Sequence, residues 1–284
     1  MPELPEVEVI ARHLNTKLSG LTVLSFRIVY PPVLKKTDMT DLYPILGQKV
    51  SEVNRRGKYV LMKMHRGLSL IFHLKMTGQF LFCLSREPWD KHTHFGLAFA
   101  ESPFELRFRD VRKFGFVSCV GIRKDSVVEV LDQLGPEPLE IGKEHFVKLF
   151  KGRKAGMKSL LLDQTFLAGI GNIYADEILF KAKVHPALSA ASLNEEELSR
   201  VWEAMTHILR SAIVHRGSSI RNFVDADGRE GRYQERHQVY GRQGLPCPEC
   251  SHRIHRHRIS GRSSHFCPVC QKPPESKRGE KIRQ

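Results

Sequence analysis

Four cysteines near the C-terminal end constrain the fold of this chain more than any other feature. Cys247 and Cys250 form one Cys-x-x-Cys pair, and after sixteen intervening residues Cys267 and Cys270 form a second. Each pair makes a knuckle, and two pairs supply four thiolates at the spacing of a tetrahedral zinc site. A redox role would need one pair beside a βαβ pattern, which the sequence lacks. The spacing therefore predicts one structural zinc ion.

The segment between the two cysteine pairs is polar and basic. It has too few apolar residues to fold unaided, so we expect its folding to be coupled to metal binding. A two-stranded finger with arginines at its tip has a suitable shape for entering a nucleic-acid groove. Four histidines are further candidate ligands, although four cysteines already complete the site. These residues are Arg253, Arg256, Arg258 and Arg262, and His252, His255, His257 and His265.

The net charge points to a polyanionic partner. With 45 Lys and Arg against 31 Asp and Glu, the formal charge is +14 and the pI is about 9.6. Residues 229–284 alone hold thirteen basic and five acidic side chains. Nucleic acid is the first candidate for the partner, although a solvated basic tail at 272–284 would also account for part of the excess.

The length of 284 residues allows two modest domains, each with its own core. No apolar run is long enough to span a membrane, and no signal-peptide pattern opens the sequence. Outside the four clustered cysteines, Cys83 and Cys119 stand alone, which is not a disulfide pattern. We therefore expect an intracellular protein with no membrane partner.

The N-terminal segment MPELPE has two interpretations. Removal of Met1 would leave Pro2 as a secondary amine, and an α-amino pKa of about 7.7–8.0 keeps a useful fraction neutral. Such an amine can form a Schiff base, with Glu3 and Glu6 moving protons. Alternatively, Pro and Glu merely begin a helix, because both suit a first turn. An apolar stripe predicts this helix over residues 2–18. The stripe consists of Val7, Ile10, Ala11, Leu14 and Leu18.

Apolar stretches in the first half of the chain indicate β-strands. They are rich in Val, Ile, Leu and Phe and alternate in part with polar residues. Short strands at this spacing predict a β-sandwich, so that helix and sandwich together form a first domain over residues 1–121. The predicted strand stretches are residues 22–29, 49–64, 68–83, 93–100 and 104–120.

Basic and polar residues recur in the turns of this first domain. Any one group can be a solvated strand end, but together they can line a groove that follows a phosphate backbone. The groups are residues 55–58 (RRGK), residues 73–78 (HLKMTG), and Arg107, Arg109, Arg112 and Lys113.

The pattern becomes helical beyond a break at residues 135–139 (GPEPL), and we place a hinge over residues 122–143. A helical domain follows over residues 144–240. Its GIGN turn at 169–172 allows close approach of a phosphate to a helix start, although most such turns are only turns. The predicted helices are residues 125–134, 144–150, 157–167, 173–182 and 194–215.

Two segments near the end of the chain have little apolar periodicity. Residues 217–240 contain several glycines and arginines, and they can form either a loop that closes over a ligand or a plain surface loop. The finger occupies residues 241–271. We expect residues 272–284 to be a disordered basic tail that adds non-specific affinity for DNA.

Seven motifs, in this order, resemble the formamidopyrimidine-DNA glycosylase / endonuclease VIII family of base-excision repair enzymes. Any one could arise by chance, but their joint order is highly specific and extends to about Lys272. The motifs are MPELPE (1–6), GK (57–58), HLKM (73–76), DVRKFG (110–115), LLDQTFLAGIGNIYA (161–175), QVYG (238–241) and the four-cysteine finger.

The resemblance implies an α+β protein. It consists of an N-terminal helix plus β-sandwich domain, then a helix–two-turns–helix domain with a C-terminal four-cysteine zinc finger. The resemblance also implies that Pro2 is the nucleophile that attacks C1′ of the damaged nucleotide. Glu3 is similar to the family's proton-transfer residue and Glu6 to a supporting carboxylate. Lys58 and Arg262 match further residues of the catalytic set, which bind phosphates at the lesion.

The same resemblance implies a set of DNA contacts. Met76, Arg112 and Phe114 match side chains that fill the gap left by an extruded base. Asn172 matches the partner of Arg262 in gripping the flanking phosphates. The remaining DNA contacts that the resemblance implies are His73, His92, Lys158 and Tyr240.

Three hypotheses about activity follow. The first is a bifunctional glycosylase/lyase that removes oxidised purines through a Schiff base at Pro2 and cuts the strand by β,δ-elimination. Residues 217–240 favour it, since they resemble the loop that closes over an extruded purine. The second is the same chemistry on oxidised pyrimidines; Thr77 keeps it open, because some relatives have there an acidic residue thought to touch the base. The third is a zinc-bearing protein that binds damaged DNA without cutting it.

The resemblance also implies the partner and the setting. The expected partner is double-stranded DNA containing oxidised bases or abasic sites. We expect a monomer in the bacterial cytoplasm, because one chain already supplies wedge, nucleophile and phosphate clamp.

Overall fold

A computed structural model of the chain describes residues 1–121, 131–219, 228–259 and 261–273. The chain forms two compact units. One comprises Met1–Gly135 with Ser211–Glu235, and the other comprises Pro136–Arg210 with Arg236–Gln284. Most of the predicted helix over 125–134, the middle of the predicted loop 217–240 and nearly all of the predicted tail lie outside the described residues.

The N-terminal helix, α1, spans Leu4–Leu18, two residues shorter than predicted. It starts later because Glu3 has extended backbone angles and occupies the N-cap position. The predicted apolar stripe is confirmed: all five of its residues are buried, with at most 2% exposure. Gly20, with a φ of +87°, follows the helix and redirects the chain into the first strand.

Among the described residues of the first unit, eight antiparallel strands form two four-stranded sheets. Three of the five predicted stretches each contain two strands, because tight turns interrupt the apolar pattern. One such turn is Gly57–Lys58, where Gly57 has a φ of +55°. The strands are β1 (Val23–Ile28), β2 (Val50–Arg56), β3 (Tyr59–Met64), β4 (Ser69–His73), β5 (Gly78–Leu84), β6 (Thr93–Phe99), β7 (Phe104–Asp110) and β8 (Phe116–Val120).

The core of the first unit lies between its two sheets. One sheet has the order β1-β6-β7-β5 and the other has the order β2-β3-β4-β8. Phe72 of β4 packs against Phe80, Phe95 and Phe108 of the opposite sheet, with ring centroids 5.0, 6.0 and 6.1 Å apart. Four residues of the α1 stripe, Val7, Ile10, Leu14 and Leu18, belong to the same buried cluster. The prediction of a helix packed with a β-sandwich is confirmed.

The second unit is mainly helical and carries a β-hairpin. Asn194 begins the longest helix as predicted: its Oδ1 accepts the Glu197 N–H at 2.8 Å, and Glu197 Oε2 accepts the Asn194 N–H at 2.9 Å. The elements are α2 (Lys143–Phe150), α3 (Met157–Leu162), α4 (Asn172–Lys181), α5 (Glu195–Val214), β9 (His255–Ile259) and β10 (Arg262–Phe266). Among the described residues, no helix is long and apolar enough to cross a membrane.

Candidate active site

A buried carboxylate holds the start of α1 in place. Glu6 accepts the Glu3 backbone N–H at 2.8 Å through Oε2 and the Ser218 backbone N–H at 2.7 Å through Oε1. Pro2, Glu3 and Glu6 are all buried. Most chain ends fray, whereas this one is fixed by its own helix and by a distant segment of the same unit. Residues 2–6 are therefore held in one conformation, as a reacting group at this position would need to be.

Lys58 and His73 lie near each other at the ends of adjacent strands. Lys58 occupies the second position of the β2–β3 turn and is 7% exposed. Burial, and secondarily the charges of Lys75, Lys58 and Lys35, lower the pKa of His73 to about 3. His73 Nδ1 accepts the Lys75 backbone N–H at 2.9 Å. The imidazole is therefore neutral at pH 7 with its hydrogen on Nε2, which makes it an uncharged donor.

The three predicted wedge residues are brought together at the surface. Arg112 Nη1 lies 2.9 Å from Met76 Sδ, and the guanidinium of Arg112 lies 4.8 Å from the centre of the Phe114 ring. Met76 and Phe114 are 43% and 55% exposed. Large apolar side chains at this exposure are available to a partner. His92 is close by in the fold, since its carbonyl accepts the Asp110 N–H at 2.9 Å.

Asn172 and the finger hairpin meet in the second unit. Asn172 is the first residue of α4, and its Nδ2 donates to the Ser263 carbonyl at 3.0 Å. Ser263 follows Arg262, which is exposed at the start of β10. The structure thus bonds Asn172, at a helix start, to the residue next to Arg262. A helix start and an arginine are both groups that suit a phosphate.

Lys158 has a different environment from the one predicted. Its side chain is fully buried, and its ammonium donates to Asp176 Oδ1 at 2.6 Å, Ser264 Oγ at 2.7 Å and the Ser263 carbonyl at 2.9 Å. This placement does not fit the DNA contact that the resemblance implied, because an ammonium surrounded by three protein acceptors has no surface to offer a phosphate. Lys158 of α3 instead links β10, through Ser263 and Ser264, to α4, through Asp176.

Tyr240 is positioned by a second buried carboxylate. Glu177, 1% exposed, accepts the backbone N–H groups of Gln238, Val239 and Tyr240 at 2.9, 3.0 and 2.8 Å. Burial raises the pKa of Glu177, against the effect of these three hydrogen bonds. The Tyr240 ring packs edge-on against His265 at 5.0 Å. The QVYG motif is therefore fixed to α4 through its backbone.

The four cysteines form one cluster, with all Sγ atoms within 4.8 Å of one another. Cys247 and Cys270 are separated by 3.8 Å, and Cys250 and Cys267 by 3.4 Å. Zinc–sulfur bonds of about 2.3 Å in a tetrahedron place sulfurs about 3.8 Å apart, so the donor set fits zinc. The cluster packs on Phe180 of α4 together with Val239 and Ile254.

Sequence reasoning missed three buried carboxylates, one in the first unit and two in the second. Asp110 lies in the DVRKFG motif, from which the resemblance assigns roles to Arg112 and Phe114 but none to Asp110, which is fully buried. Asp176 and Glu177 sit between Ala175 and Ile178 on a helix that is otherwise apolar. Two adjacent acids in such a helix are the one available indication of buried, hydrogen-bonded carboxylates.

Family models match most of the chain. Residues 1–117 match the formamidopyrimidine-DNA glycosylase N-terminal domain, and residues 134–224 match the H2TH domain of the same enzymes. Residues 244–273 match a zinc finger found in these enzymes and in isoleucyl-tRNA synthetase. The zinc-finger match covers all four cysteines of the cluster.

Curated relatives and solved structures agree with these matches. The formamidopyrimidine-DNA glycosylase of Desulforamulus reducens is 44% identical over 277 residues, covering 96% of this chain and 99% of the relative. That of Pelotomaculum thermopropionicum is 40% identical with the same coverage. A mutant of the Lactococcus lactis enzyme, in complex with DNA containing Fapy-dG, has a TM-score of 0.87 and 35% identity, covering 96% of this chain and 100% of that one. The chain therefore belongs to the formamidopyrimidine-DNA glycosylase family.

Proposed function

We propose that this chain is a bifunctional DNA glycosylase and abasic-site lyase that removes oxidised purines. The observation that carries the proposal is the anchoring of residues 2–6 by Glu6 in the same unit as the exposed group of Met76, Arg112 and Phe114. A fixed N-terminus suits a nucleophile, and an exposed apolar group suits a wedge in the base stack. Membership of an enzyme family favours this reading over a DNA-binding protein without catalysis.

The proposed chemistry begins at Pro2 after Met1 is removed. The Pro2 nitrogen attacks C1′, the bond from C1′ to the base breaks, and the base leaves with the proton of the Pro2 amine. The C1′–O4′ bond then breaks and O4′ takes up a proton, which opens the sugar ring and leaves an iminium between C1′ and Pro2. Glu3 carries protons to and from the sugar, and Glu6 supports it. The iminium acidifies the C2′ proton, whose loss expels the 3′ phosphate, and a second elimination expels the 5′ phosphate. One nucleophile thus serves both the glycosylase and the lyase steps.

The proposed recognition separates the wedge from the phosphate contacts. Met76, Arg112 and Phe114 occupy the gap left by the extruded nucleotide, offsetting an unstacking cost of a few kcal/mol. Cationic and neutral donors follow the backbone around the lesion. We assign these contacts to Lys58, His73, His92, Asn172, Tyr240 and Arg262, and we assign one structural zinc ion to the four cysteines.

The proposed substrate class draws support from the solved relatives. Structures of the Lactococcus lactis enzyme include complexes with DNA containing Fapy-dG and with abasic-site DNA. Another holds DNA with an oxidised pyrimidine, which keeps oxidised pyrimidines as a second candidate for this chain. By analogy we propose damaged double-stranded DNA as the partner of a monomer acting in the bacterial cytoplasm.

The test is borohydride trapping on a duplex containing 8-oxoguanine opposite cytosine, with wild type beside Pro2→Gly. A covalent protein–DNA band that depends on Pro2 is expected. A band on 5-hydroxyuracil duplexes alone would keep the Schiff base but move the substrate to pyrimidines. The absence of a band on any damaged duplex, with tight binding intact, would contradict the proposed catalysis.

A further inference from the structure

Asp110 is a fully buried carboxylate at the end of β7 that the proposed chemistry does not use. All the hydrogen bonds that its oxygens are seen to make come from nearby loops. Oδ2 accepts the N–H groups of Phe114 at 2.8 Å and Gly115 at 2.6 Å. Oδ1 accepts the Arg112 N–H at 3.1 Å and the hydroxyl hydrogen of Thr77.

These bonds join the two chain segments that carry the exposed wedge residues. Thr77 directly follows Met76, whereas the other three donors lie within residues 112–115. Thr77 Oγ1 also accepts the Arg112 N–H at 3.2 Å, which closes the link between the segments. Arg112 Nη1 and Met76 Sδ lie 2.9 Å apart in this arrangement, in which one carboxylate bonds both the Arg112 backbone and the side chain of Thr77.

The loop after Asp110 is tight enough to need such an anchor. Lys113 has a φ of +58°, an uncommon conformation for a residue with a side chain. A Cβ on Gly115 would lie 2.7 Å from the Phe108 ring and 3.2 Å from the His73 carbonyl. Hydrogen bonds to a charged acceptor are about twice as strong as neutral ones, so Asp110 is a suitable group to stabilise this loop.

We propose that Asp110 is the positioning residue of the wedge formed by Met76, Arg112 and Phe114. The inference rests on the proposed function, in which this wedge replaces an extruded nucleotide. Inserting side chains into a base stack meets resistance of a few kcal/mol, and flexible loops would yield to it. Asp110 keeps the two loops in their inserting geometry before DNA is bound, so that little ordering remains to be done on binding.

Thr77 receives a role from the same geometry. In this structure its hydroxyl donates to Asp110 and accepts from Arg112, so it links the two segments that carry the wedge. Thr77→Val keeps the shape of the side chain and removes both bonds. It should reproduce the defect of Asp110→Asn in milder form, because the bonds from Phe114 and Gly115 remain.

The test compares two substrates for Asp110→Asn under single-turnover conditions. One is an 8-oxoguanine:cytosine duplex, which must be opened; the other is a preformed abasic site in single-stranded DNA, which has no stack to open. We expect the rate on the duplex to fall about tenfold to a hundredfold, as for hydrogen bonds to a charged group, and the rate on the single strand to change less than about threefold.

Glu101→Gln is the matched control. Glu101 also accepts a threonine hydroxyl and a backbone N–H, both from Thr22, at 2.6 and 2.7 Å. It precedes β7, whereas Asp110 ends that strand, so its loss should leave both rates unchanged. Equal losses on the two substrates for Asp110→Asn, or no loss on either, would overturn the proposal. If Asp110→Asn fails to fold, Thr77→Val tests the proposal instead, by the same comparison of the rates on the duplex and on the single strand.

A fluorescence measurement of base unstacking tests the role of Asp110 without depending on the proposed chemistry. 2-Aminopurine placed next to an abasic analogue brightens when its neighbours unstack. At saturating protein, wild type and Glu101→Gln should give the full rise, and Asp110→Asn less than about half of it. A full rise with Asp110→Asn would refute the positioning role. Failure of wild type to form a trapped adduct would refute the proposed chemistry alone.

Discussion

Ser218 donates its backbone N–H to Glu6 Oε1 over 2.7 Å, across 212 residues of sequence. The bond ties the first turn of α1 to the segment that follows α5 in the same unit. Tyr233 donates its N–H to the Gly217 carbonyl at 2.9 Å, so the segment is also held from its far side. The proposed nucleophile therefore depends on residues more than two hundred positions away for its placement.

Gly217→Ala should destabilise the protein and displace Glu6. Gly217 has a φ of +75°, and a Cβ there would lie 2.6 Å from Glu6 Oε1. Backbone strain and the contact together should cost about 1–3 kcal/mol. Gly20→Ala is the control, since Gly20 has a φ of +87° with nothing within 4 Å of its Cβ position. Thermal unfolding and trapping yield measure the difference between the two variants.

The two glycine variants separate strain from contact. Both should lower the melting temperature through their positive φ, but only Gly217→Ala should also lower the yield of the trapped adduct at a temperature where both are folded. Equal trapping by the two variants would show that the contact with Glu6 has no bearing on the N-terminus.

Lys158→Met should be strongly destabilising, by about 3–5 kcal/mol, because it leaves the buried Asp176 carboxylate without its cation. Adding Asp176→Asn should then restore part of the loss, since Asn is neutral and can still accept the His265 N–H now found 2.9 Å from Asp176. Asp176→Asn alone should be destabilising. The measurement is calorimetric unfolding of wild type, the two single variants and the double variant. Asp176→Asn should lower the free energy of unfolding in wild type and raise it in Lys158→Met.

The control for this cycle is an exposed ion pair of similar length. Lys151 and Glu195 lie 2.7 Å apart with side chains 64% and 68% exposed. Lys151→Met should hardly move the unfolding transition, because solvent screens such pairs. Two results would contradict the idea that burial makes the Lys158–Asp176 pair important. One is a large loss of stability in Lys151→Met, and the other is a double variant that is less stable than Lys158→Met alone.

Lys58→Met and His73→Asn should weaken DNA binding in distinguishable ways. Each phosphate neutralised by a cation contributes about −0.9 to the slope of log K against log salt, so losing Lys58 should make the slope shallower by about that amount. Neutral His73 releases no counterion, and its variant should lose affinity with the slope unchanged. Anisotropy titrations of an abasic-analogue duplex at several salt concentrations give both slopes.

Lys63→Met provides the control for the titrations. Lys63 lies on the same strand, β3, and pairs with Glu52 at 3.0 Å. Its loss should leave both affinity and slope unaltered. A slope change for His73→Asn would show that the bound histidine carries a charge.

Much of this architecture could be predicted from sequence, because apolar spacing and cysteine spacing report on single elements. The stripe of α1 and the cysteine knuckles are local patterns of that kind. The burial of Lys158 could not be predicted, because lysines are rarely buried and its partner Ser264 lies 106 residues away. Asp176 and Glu177 were missed for the same reason, since their partners Lys158, His265 and residues 238–240 are distant in sequence. Asp110 differs, because three of its four donors lie within the next five residues and only Thr77 is brought near by the fold.

His73 should make the protein less stable as the pH falls from about 7.5 to 5.5. The pKa of His73 is about 3 in the folded protein, below the usual 6.5 of an unfolded chain. As the pH falls, the unfolded chain therefore takes up the proton first, and the free energy of unfolding rises with pH between about 3 and 6.5. The loss should be about 1.4 kcal/mol as the pH falls from 7.5 to 5.5.

His73→Asn keeps an acceptor for the Lys75 N–H but cannot titrate, and urea unfolding at pH 7.5 and 5.5 should show a smaller loss of stability. His185 and His237, whose burial lowers each pKa to about 4, titrate in both proteins and cancel in the difference. Parallel pH profiles for the two proteins would mean that His73 is not held neutral by the fold.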